Sequence, residues 1–290
     1  MLSKKCIGIL SFNKKNITKR CVDSVLNSGY DPDSVFLLHN GSDNTVKREL
    51  ELQYPSINHK SVTENRGYSG GFNDLMRWIF SSGGNSVLFL TNDTIIIEDT
   101  LEKCLKTYHE TKTGIIIPTI YYIKYPDKID SSGGFFDISR ATLSHYHEEK
   151  LPLFLKPERD YVPGTAFWIT KDIFLATGGM DESYHTYWED ADLSFRCHES
   201  DIKIARSHGA KIFHGVGQTC HKKPLYTTFY FQRNRIRFCK KFLFGKELQR
   251  SLDIIGKEIG EMKNKAEAKD NRKKIEYLKE LKGTLNSFSL

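Results

Sequence analysis

Apolar residues come in short runs through the first two thirds of the chain, and most runs are followed by a polar stretch with helical spacing. Cys6–Phe12, Val35–Leu38, Ile57–Val62, Ser86–Leu90 and Ile115–Ile117 have the length expected of strands in a sheet. Helices are predicted between them. One is capped by Asn13 or Asn16, carries Ile17, Cys21 and Val25 four apart on one face, and is closed by Gly29. Others cover Asn44–Gln53, run from a Ser69 cap to Phe80, and run from about Asp99 to Thr111. Strand and helix alternating at this spacing predict an α/β fold, a mainly parallel sheet with helices on both faces. Ligands of such sheets bind at the carboxyl ends of the strands. Tyr121–Tyr161 is less regular and reads as a substrate-facing insertion. Ala166–Thr170 is again strand-like, Lys171–Ala176 a short helix and Gly178-Gly179 a turn. Ile202–Ala205 and Lys211–Phe213 read as two short strands.

The pattern changes at Leu225. From there everything reads as helix, apart from a break at Phe244-Gly245. Leu248, Leu252, Ile255, Ile259, Met262 and Ala266 fall at heptad spacing, and Ile275, Leu278 and Leu281 resume the stripe. This divides the chain into an α/β domain over 1–224 and a helical extension over 225–290. The stripe can pack on its own domain or form a homodimer seam.

Charge sharpens that division. The net charge is +7, and the residues from Arg237 onward carry 14 Lys and Arg against 8 Asp and Glu, so the first 236 residues are almost balanced. An acidic partner should therefore meet the tail. His221-Lys222-Lys223, Tyr226, Phe229-Tyr230-Phe231, Arg233, Arg235 and Arg237 interleave basic and aromatic residues, which suits an anionic membrane surface as well as a solvated helix. Composition, 39% hydrophobic and 27% charged, is that of a globular protein. No apolar run approaches the roughly 18–20 residues of a membrane span. Met1-Leu2-Ser3-Lys4-Lys5 leads into a strand without a signal-peptide core, so a cytosolic location is expected. Six scattered cysteines without a CxxC pair argue for reduced thiols, and Cys220-His221 near His214 is a weak ligand cluster.

The densest chemistry lies in Tyr184-His185-Thr186-Tyr187-Trp188-Glu189-Asp190-Ala191-Asp192-Leu193. Three carboxylates crowd the first turn of a predicted helix, where the helix dipole favours them. The aromatic run before them is not explained that way. A carboxylate beside aromatic rings can hold a sugar and deprotonate one of its hydroxyls. Three further segments follow strand ends. His39-Asn40-Gly41-Ser42 is good turn chemistry. Glu64-Asn65-Arg66-Gly67-Tyr68-Ser69-Gly70-Gly71-Phe72-Asn73 joins glycines, an arginine and a helix start, which suits a diphosphate. Thr91-Asn92-Asp93-Thr94 offers oxygen donors for a hard cation. Late in the domain, His214 ends an apolar strand ahead of a glycine loop, a place for a third metal ligand.

In this order the segments resemble the inverting family-2 glycosyltransferases of the GT-A fold, closest to the bacterial rhamnosyltransferase-like branch. The resemblance runs from about Cys6 to Asn234. It implies that Ser11, Asn13, His39, Asn40, Asn65, Arg66, Gly67, Gly71, Asn73 and Asn92 bind the donor nucleotide. Asp93 and His214 would hold a divalent metal, Mn²⁺ or Mg²⁺. Gly164, Thr165, Tyr187 and Trp188 would meet the acceptor. Asp190 would be the general base, with Glu189 orienting the acceptor or tuning its neighbour, and Asp192 a structural carboxylate. Tyr230-x-x-Arg233-Asn234 matches a Tyr-x-x-Arg-Asn element of this branch. Two positions depart from the pattern. His39 stands where an acid that helps hold the nucleoside is expected, and Thr91 stands where the first metal-binding acid is expected. The implied donor is a pyrimidine diphospho-sugar, with dTDP-L-rhamnose ahead of UDP-galactofuranose, UDP-galactose and UDP-N-acetylhexosamines. The implied acceptor is a growing surface glycan on a polyprenyl diphosphate, met at the inner face of the cell membrane.

Two other classes compete. A sugar nucleotidyltransferase would want a glycine-rich loop at the first strand, and Leu10-Ser11-Phe12-Asn13-Lys14-Lys15 has none. A nucleic-acid or membrane-binding module would use the basic tail with steep salt dependence, but it leaves the balanced first 236 residues unexplained, so no nucleic acid partner is expected.

Overall fold

The computed structural model describes residues 5–215 and 224–286. The Cys220-His221 cluster and His221-Lys222-Lys223 lie outside the described residues. The amino-terminal half is β1 (Lys5–Ser11), α1 (Lys15–Asn27), β2 (Val35–Asn40), α2 (Asn44–Gln53), β3 (Asn58–Val62), α3 (Gly67–Ser81), β4 (Ser86–Thr91), β5 (Thr94–Ile96) and α4 (Thr100–Thr111). It continues with β6 (Ile115–Tyr122), β7 (Ile129–Ser131), β8 (Gly134–Asp137), β9 (Thr142–His145), β10 (Asp160–Tyr161), β11 (Ala166–Thr170), α5 (Lys171–Thr177), α6 (Glu189–Glu199) and β12 (Ala205–His214). Three helices close the chain: α7 (Pro224–Phe242), α8 (Gly245–Glu267) and α9 (Arg272–Asn286).

The main sheet runs β3-β2-β1-β4-β11-β6-β12-β5, with β7 added beside β6. β3, β2, β1 and β4 are mutually parallel, as are β6 and β12. β11 runs antiparallel between β4 and β6. β1, β2 and β4 are mostly apolar because both of their faces are covered, whereas the edge strand β3 (NHKSV) is polar and half-buried. Cys6 and Leu10 of β1 face Phe72, Leu75 and Ile79 of α3, while Ile7 and Ile9 face Cys21, Val22 and Val25 of α1. A Cβ on Gly8 would lie 2.9 Å from Ile79 Cδ1, so the missing side chain lets α3 lie close to the sheet. Burial of such side chains contributes about 1.5–3 kcal/mol each.

Several expectations change. Neither Asn13 nor Asn16 caps α1. Lys14 is the cap residue, in the left-handed region and without a side-chain bond, and Asn13 instead accepts from the Asp43 N–H. Ser69 lies inside α3, which starts two residues earlier at Gly67. Ile202–Ala205 and Lys211–Phe213 were expected as two strands; the structure has one, β12, whose register on β6 shifts between Arg206 and Lys211. The irregular insertion folds into a small antiparallel sheet, β10-β8-β9.

The heptad stripe of α8 is used within the chain. Leu248, Leu252, Ile255, Ile259, Met262 and Ala266 share one apolar cluster with Ile275, Leu278 and Leu281 of α9, Phe238 of α7, and Tyr184, Trp188 and Phe195 around α6. Of the two uses expected for the stripe, the structure shows packing on its own chain.

Candidate active site

The site gathers where β1, β2 and β4 end, beside α6. The approach to α6 is strained. His185, Tyr187 and Trp188 all have positive φ (64°, 69° and 76°), and each such non-glycine residue costs on the order of 1–3 kcal/mol. At His185 the ψ of −55° and a 2.7 Å hydrogen bond from Thr186 N–H to Tyr184 O make a γ-turn of the uncommon hand. This geometry delivers Glu189 and Asp190 to the first turn of α6. Asp190 Oδ2 accepts from Gly164 N–H at 2.8 Å, and Oδ1 from Ala191 N–H at 2.8 Å. Burial pushes its carboxyl up to about 6, against the lowering effect of those backbone bonds. Glu189 is buried, and its Oε2 has no hydrogen-bond partner among the described residues. Burial and the neighbouring Asp190 charge hold its carboxyl well above the usual range. Asp192 is the structural member, bound to Arg196 Nε at 2.7 Å and Lys241 Nζ at 2.5 Å. Arg196 also donates to the carbonyls of Thr177 and Gly179, which ties α6 to the Gly178-Gly179 turn.

Opposite these acids lies the second group. Asp93 Oδ2 is 3.5 Å from His214 Nε2, and His214 Nδ1 is 2.9 Å from Asp130 Oδ2. Burial would lower the His214 pKa, but the bonds to Asp130 and Asp93 outweigh it and raise it to about 9. Thr91, in the place of an acid, donates its hydroxyl to Asp93 Oδ1 at 2.8 Å and so orients that carboxylate. A carboxylate and an imidazole nitrogen facing each other, with a second carboxylate behind the ring, is a donor set that fits a divalent cation. It supplies two protein ligands. No group of three or more His, Cys, Asp or Glu side chains forms a ligand set among the described residues. Asp130 was missed in the sequence because it sits in the irregular insertion and reaches His214 only through β7–β6–β12 pairing.

Tyr68 joins the two groups. Its hydroxyl donates to the Gly164 carbonyl. Burial first, then the charges of Glu189, Asp190 and Asp93, raise its pKa well above the ordinary value. Those three carboxylates therefore surround one phenol. Gly164 is held from both sides, by Tyr68 and by Asp190, and the Thr165 carbonyl accepts from Thr91 N–H at 3.0 Å. Both residues line the site through their backbone.

The expected donor loop is largely occupied with its own architecture. Asn40 bonds the Gly67 carbonyl and the Arg66 N–H. Asn65 Oδ1 takes the Gly67 N–H. A Cβ on Gly71 would come within 2.6 Å of Asn40 Nδ2, so that glycine makes room for the bracket. The N–H groups of Tyr68 and Ser69, expected to be free for a diphosphate, both donate to the His185 carbonyl. Asn73 is buried and bonds both the N–H and the carbonyl of Met180. Arg66 pairs with Glu182 at 2.8 Å and Asp74 at 3.4 Å. At the start of α3 the N–H groups of Gly67, Tyr68 and Ser69 thus have partners within the chain. Ser11 and Asn92 both reach Thr18 of α1, at 2.9 and 2.8 Å. His39 is buried beside His59. The Trp188 platform is also corrected. Trp188 is 1% exposed and its ring packs on Phe231, Phe238 and Phe136, so it anchors the loop from inside. Tyr187 keeps partial exposure.

The Tyr-x-x-Arg-Asn element fastens this loop from α7. Asn234 Nδ2 lies 2.7–2.8 Å from the carbonyls of Tyr184, Thr186 and Tyr187. Arg233 donates to Ser183 and Tyr184, and Tyr230 stacks on His185 at 5.0 Å. The division expected at 224/225 therefore cuts between the loop and the helix that holds it. Arg235 is buried on Glu258 and the carbonyls of Ala141 and Arg140, and Arg237 lies over Tyr184. Arg233 and Arg235 are thus engaged within the chain, while Arg237 stays exposed. No described helix is long and apolar enough to cross a membrane.

Asp190 and Glu189 thus stand at the start of α6, and the Asp93–His214 pair at strand ends of the main sheet. The model of the family described as "Glycosyl transferase family 2" matches residues 6–177, more than half of the chain, and the protein belongs to that family. It is a glycosyltransferase that uses a sugar-nucleotide donor. It is 25% identical over 219 residues to the low-salt glycan biosynthesis hexosyltransferase Agl10 of Haloferax volcanii, a match covering 72% of this chain and 68% of that protein. Its fold is similar to that of GalNAc-T7 crystallised with UDP, GalNAc and Mn²⁺ (TM-score 0.61, 14% identity). That likeness covers 86% of this chain, which spans 49% of the GalNAc-T7 chain. It is also similar to residues 1–349 of S. aureus TarS (TM-score 0.54, 13% identity, covering 87% of this chain and 69% of that one). At these identities the solved structures carry the fold alone.

Proposed function

We propose that the protein is an inverting hexosyltransferase that moves a sugar from a pyrimidine diphospho-sugar to a saccharide hydroxyl, with Asp190 as general base. The observation that carries this reading is the Asp190 carboxylate held on the Gly164 N–H, with Tyr68 on the carbonyl of the same residue and Asp93 facing His214. A base with a pKa near 6 is ionised at neutral pH and still accepts a proton readily. Asp190 takes the proton as the acceptor oxygen bonds to the anomeric carbon. The bond from that carbon to the diphosphate breaks, and its electron pair leaves with the nucleotide. Burial and the neighbouring Asp190 raise the Glu189 carboxyl, which disfavours a second negative charge beside Asp190.

Asp93 and His214 would hold a divalent cation, with Asp130 fixing the imidazole. That cation offsets charge on the leaving diphosphate. Imidazole favours Mn²⁺ over Mg²⁺, and the GalNAc-T7 structure, crystallised with UDP and Mn²⁺, supports the choice. The motif order supports dTDP-L-rhamnose as donor, while the hexosyltransferase Agl10 supports a hexose such as galactose, with UDP-galactofuranose and UDP-N-acetylhexosamines in the same screen. The acceptor we assign is a surface glycan growing on a polyprenyl diphosphate. Exposed basic residues of α8, α9 and the turn between them (Lys257, Lys265, Lys269, Arg272, Lys273 and Lys279) favour a peripheral position on the anionic inner face of the membrane.

A donor-hydrolysis screen across dTDP- and UDP-sugars with Mn²⁺ tests the reading. One nucleotide sugar should be cleaved far faster than the rest, and EDTA should abolish the cleavage. Undiminished activity in EDTA would remove the metal from the mechanism, and no cleavage of any donor would remove the donor class.

A further inference from the structure

Beside the acceptor-side loop, α7, α8 and the turn of the β8–β9 hairpin surround a cavity of about 370 Å³. Small-molecule sites span roughly 300–1,000 Å³. Phe231 and Ile254 give the cavity apolar walls, and Gln232, Thr142 and Glu258 give it polar ones. Arg235 lines it too, but its five N–H groups all have partners. They go to the carbonyls of Ala141 and Arg140, to Gln232 Oε1 and to both oxygens of Glu258. A guanidinium only donates, so the 3.2 Å bond to Arg235 fixes which end of the Gln232 amide is the oxygen. The nitrogen is the end left for the cavity. Gln232 is 4% exposed, and that nitrogen has no hydrogen-bond partner among the described residues. Glu258 is its counterpart: each oxygen accepts from Arg235 and keeps a second acceptor position on a half-buried side chain. The hairpin relates this cavity to the base. Gly134 pairs with His145 at one end of β8–β9, and Asp137 with Thr142 at the other. At the first end the Tyr161 ring lies on Gly134, where no Cβ would fit. The chain then leads from Tyr161 to Gly164, whose N–H holds Asp190. Three residues of strand place Thr142 about 10 Å from that end. Phe231 makes a second link, since its ring meets Tyr187 at 6.2 Å and Trp188 at 5.6 Å.

We propose that this cavity is a second saccharide site, which holds a sugar of the acceptor glycan beyond the residue that Asp190 activates. The assignment to the acceptor rests on the transferase reading and deepens it. A pyranose has an apolar face of C–H groups and a rim of hydroxyls that both donate and accept. Its C–H face fits the walls formed by Phe231 and Ile254. One hydroxyl accepts from Gln232 Nε2, and another donates to Glu258. A phosphate is the poorer occupant. The Arg235 charge is matched by Glu258 at 2.6 Å, whose carboxylate repels an anion, and Arg140 at the rim lies 4.0 Å from Asp137. A glycan held both here and at Asp190 is gripped at two separate points, which lets the enzyme tell a growing chain from a free sugar.

Side-chain amide spectra of the whole chain, isotopically labelled in glutamine, test the site without donor or metal. The chain has four glutamines, Gln53, Gln218, Gln232 and Gln249. Gln232→Glu assigns the Gln232 signal by its loss and keeps an oxygen on Arg235. The probes are methyl glycosides of rhamnose, galactose and N-acetylglucosamine, with lactose and N,N′-diacetylchitobiose. At least one should move the Gln232 signal saturably at millimolar concentration, while Gln53 and Gln249, which do not line the cavity, stay in place. No shift with any of these sugars overturns the proposal. A shift with inorganic phosphate and with no sugar overturns the saccharide class. Thr142→Trp fills the cavity from a half-exposed strand position and should abolish the shift. A shift that persists overturns the placement, and the wild-type titration stands if that variant does not fold. Where a disaccharide binds, its kcat/KM as acceptor should exceed that of the single sugar at least about tenfold, and equal values overturn the assignment to the acceptor. Failure of every donor in the hydrolysis screen overturns the transferase reading without touching the titration, so the two failures are distinguishable.

Discussion

The Asn65–Asn73 loop and the Trp188–Asp192 segment carry motifs of similar density, but the structure uses them differently. In the loop, Asn65, Arg66 and Asn73 bond their own chain, and the first N–H groups of α3 are taken by Asn65 and His185. In the acidic segment only Asp192 is fully committed to ion pairs. Glu189 keeps an oxygen without a partner among the described residues, and the Asp190 carboxyl is held far from its ordinary state. The difference teaches that hydrogen-bond saturation separates architecture from chemistry within one set of motifs. A group with all its partners gains little by meeting a ligand, whereas a buried group left short of them is destabilising unless a reaction uses it.

The largest effect that could break this comparison is at Asp190. Asp190→Asn should lower kcat by about 10²–10⁴ and leave donor-nucleotide affinity in place, as steady-state kinetics and calorimetry would show. Its folded pKa, about 6, lies above the unfolded 3.8, so its contribution to stability is present when protonated and lost as the pH rises through about 6. Asparagine removes the buried charge but keeps one acceptor for the two N–H groups of Gly164 and Ala191. The two effects oppose, so stability at neutral pH should change by less than about 1–3 kcal/mol, as denaturant titration would show. Turnover near wild type would move the base elsewhere. Next comes Asn73→Ala, which strips both bonds from the buried Met180 peptide. Denaturant titration should show a loss of about 2–4 kcal/mol, with donor affinity of the folded protein unchanged; intact stability with weakened donor binding would reverse the roles of the two regions. A pH profile sharpens the acidic side, since kcat/KM should fall as the pH drops through about 6 and Asp190 takes up its proton. The smallest effect is expected at Arg66→Ala. Its pairs are exposed, so stability should change by less than about 1 kcal/mol. A large loss of donor affinity in that variant would show Arg66 leaving Glu182 to meet the diphosphate.

Much of the frame was legible in the sequence because local pattern determined it. α2 covers Asn44–Gln53 as its spacing predicts, and β2 and β4 contain the expected apolar runs. β5 is three residues long after a turn and has no periodicity to read. β12 was split because Ser207, His208 and Gly209 interrupt its apolar pattern at the register shift. In the site, Asp93, Glu189, Asp190 and His214 are visible as motif residues at strand or helix ends. Asp130 and Tyr68 are not, since each acts through a partner that only strand pairing or helix packing brings near. Saturation itself is invisible in sequence: Asn73 and Asn40 read as donor ligands until their bonds are traced.

The Asn234 clamp has a consequence in time. The carbonyl of Tyr184 and the amide that holds it are 50 residues apart in the chain. At a synthesis rate of about 5–20 residues per second, the acceptor-side loop leaves the ribosome roughly 2–10 seconds before α7 can fasten it. A nascent chain that has already made Asp93, Asp130, Glu189 and Asp190 would still lack a set loop before α6, which is fastened only once α7 has followed it.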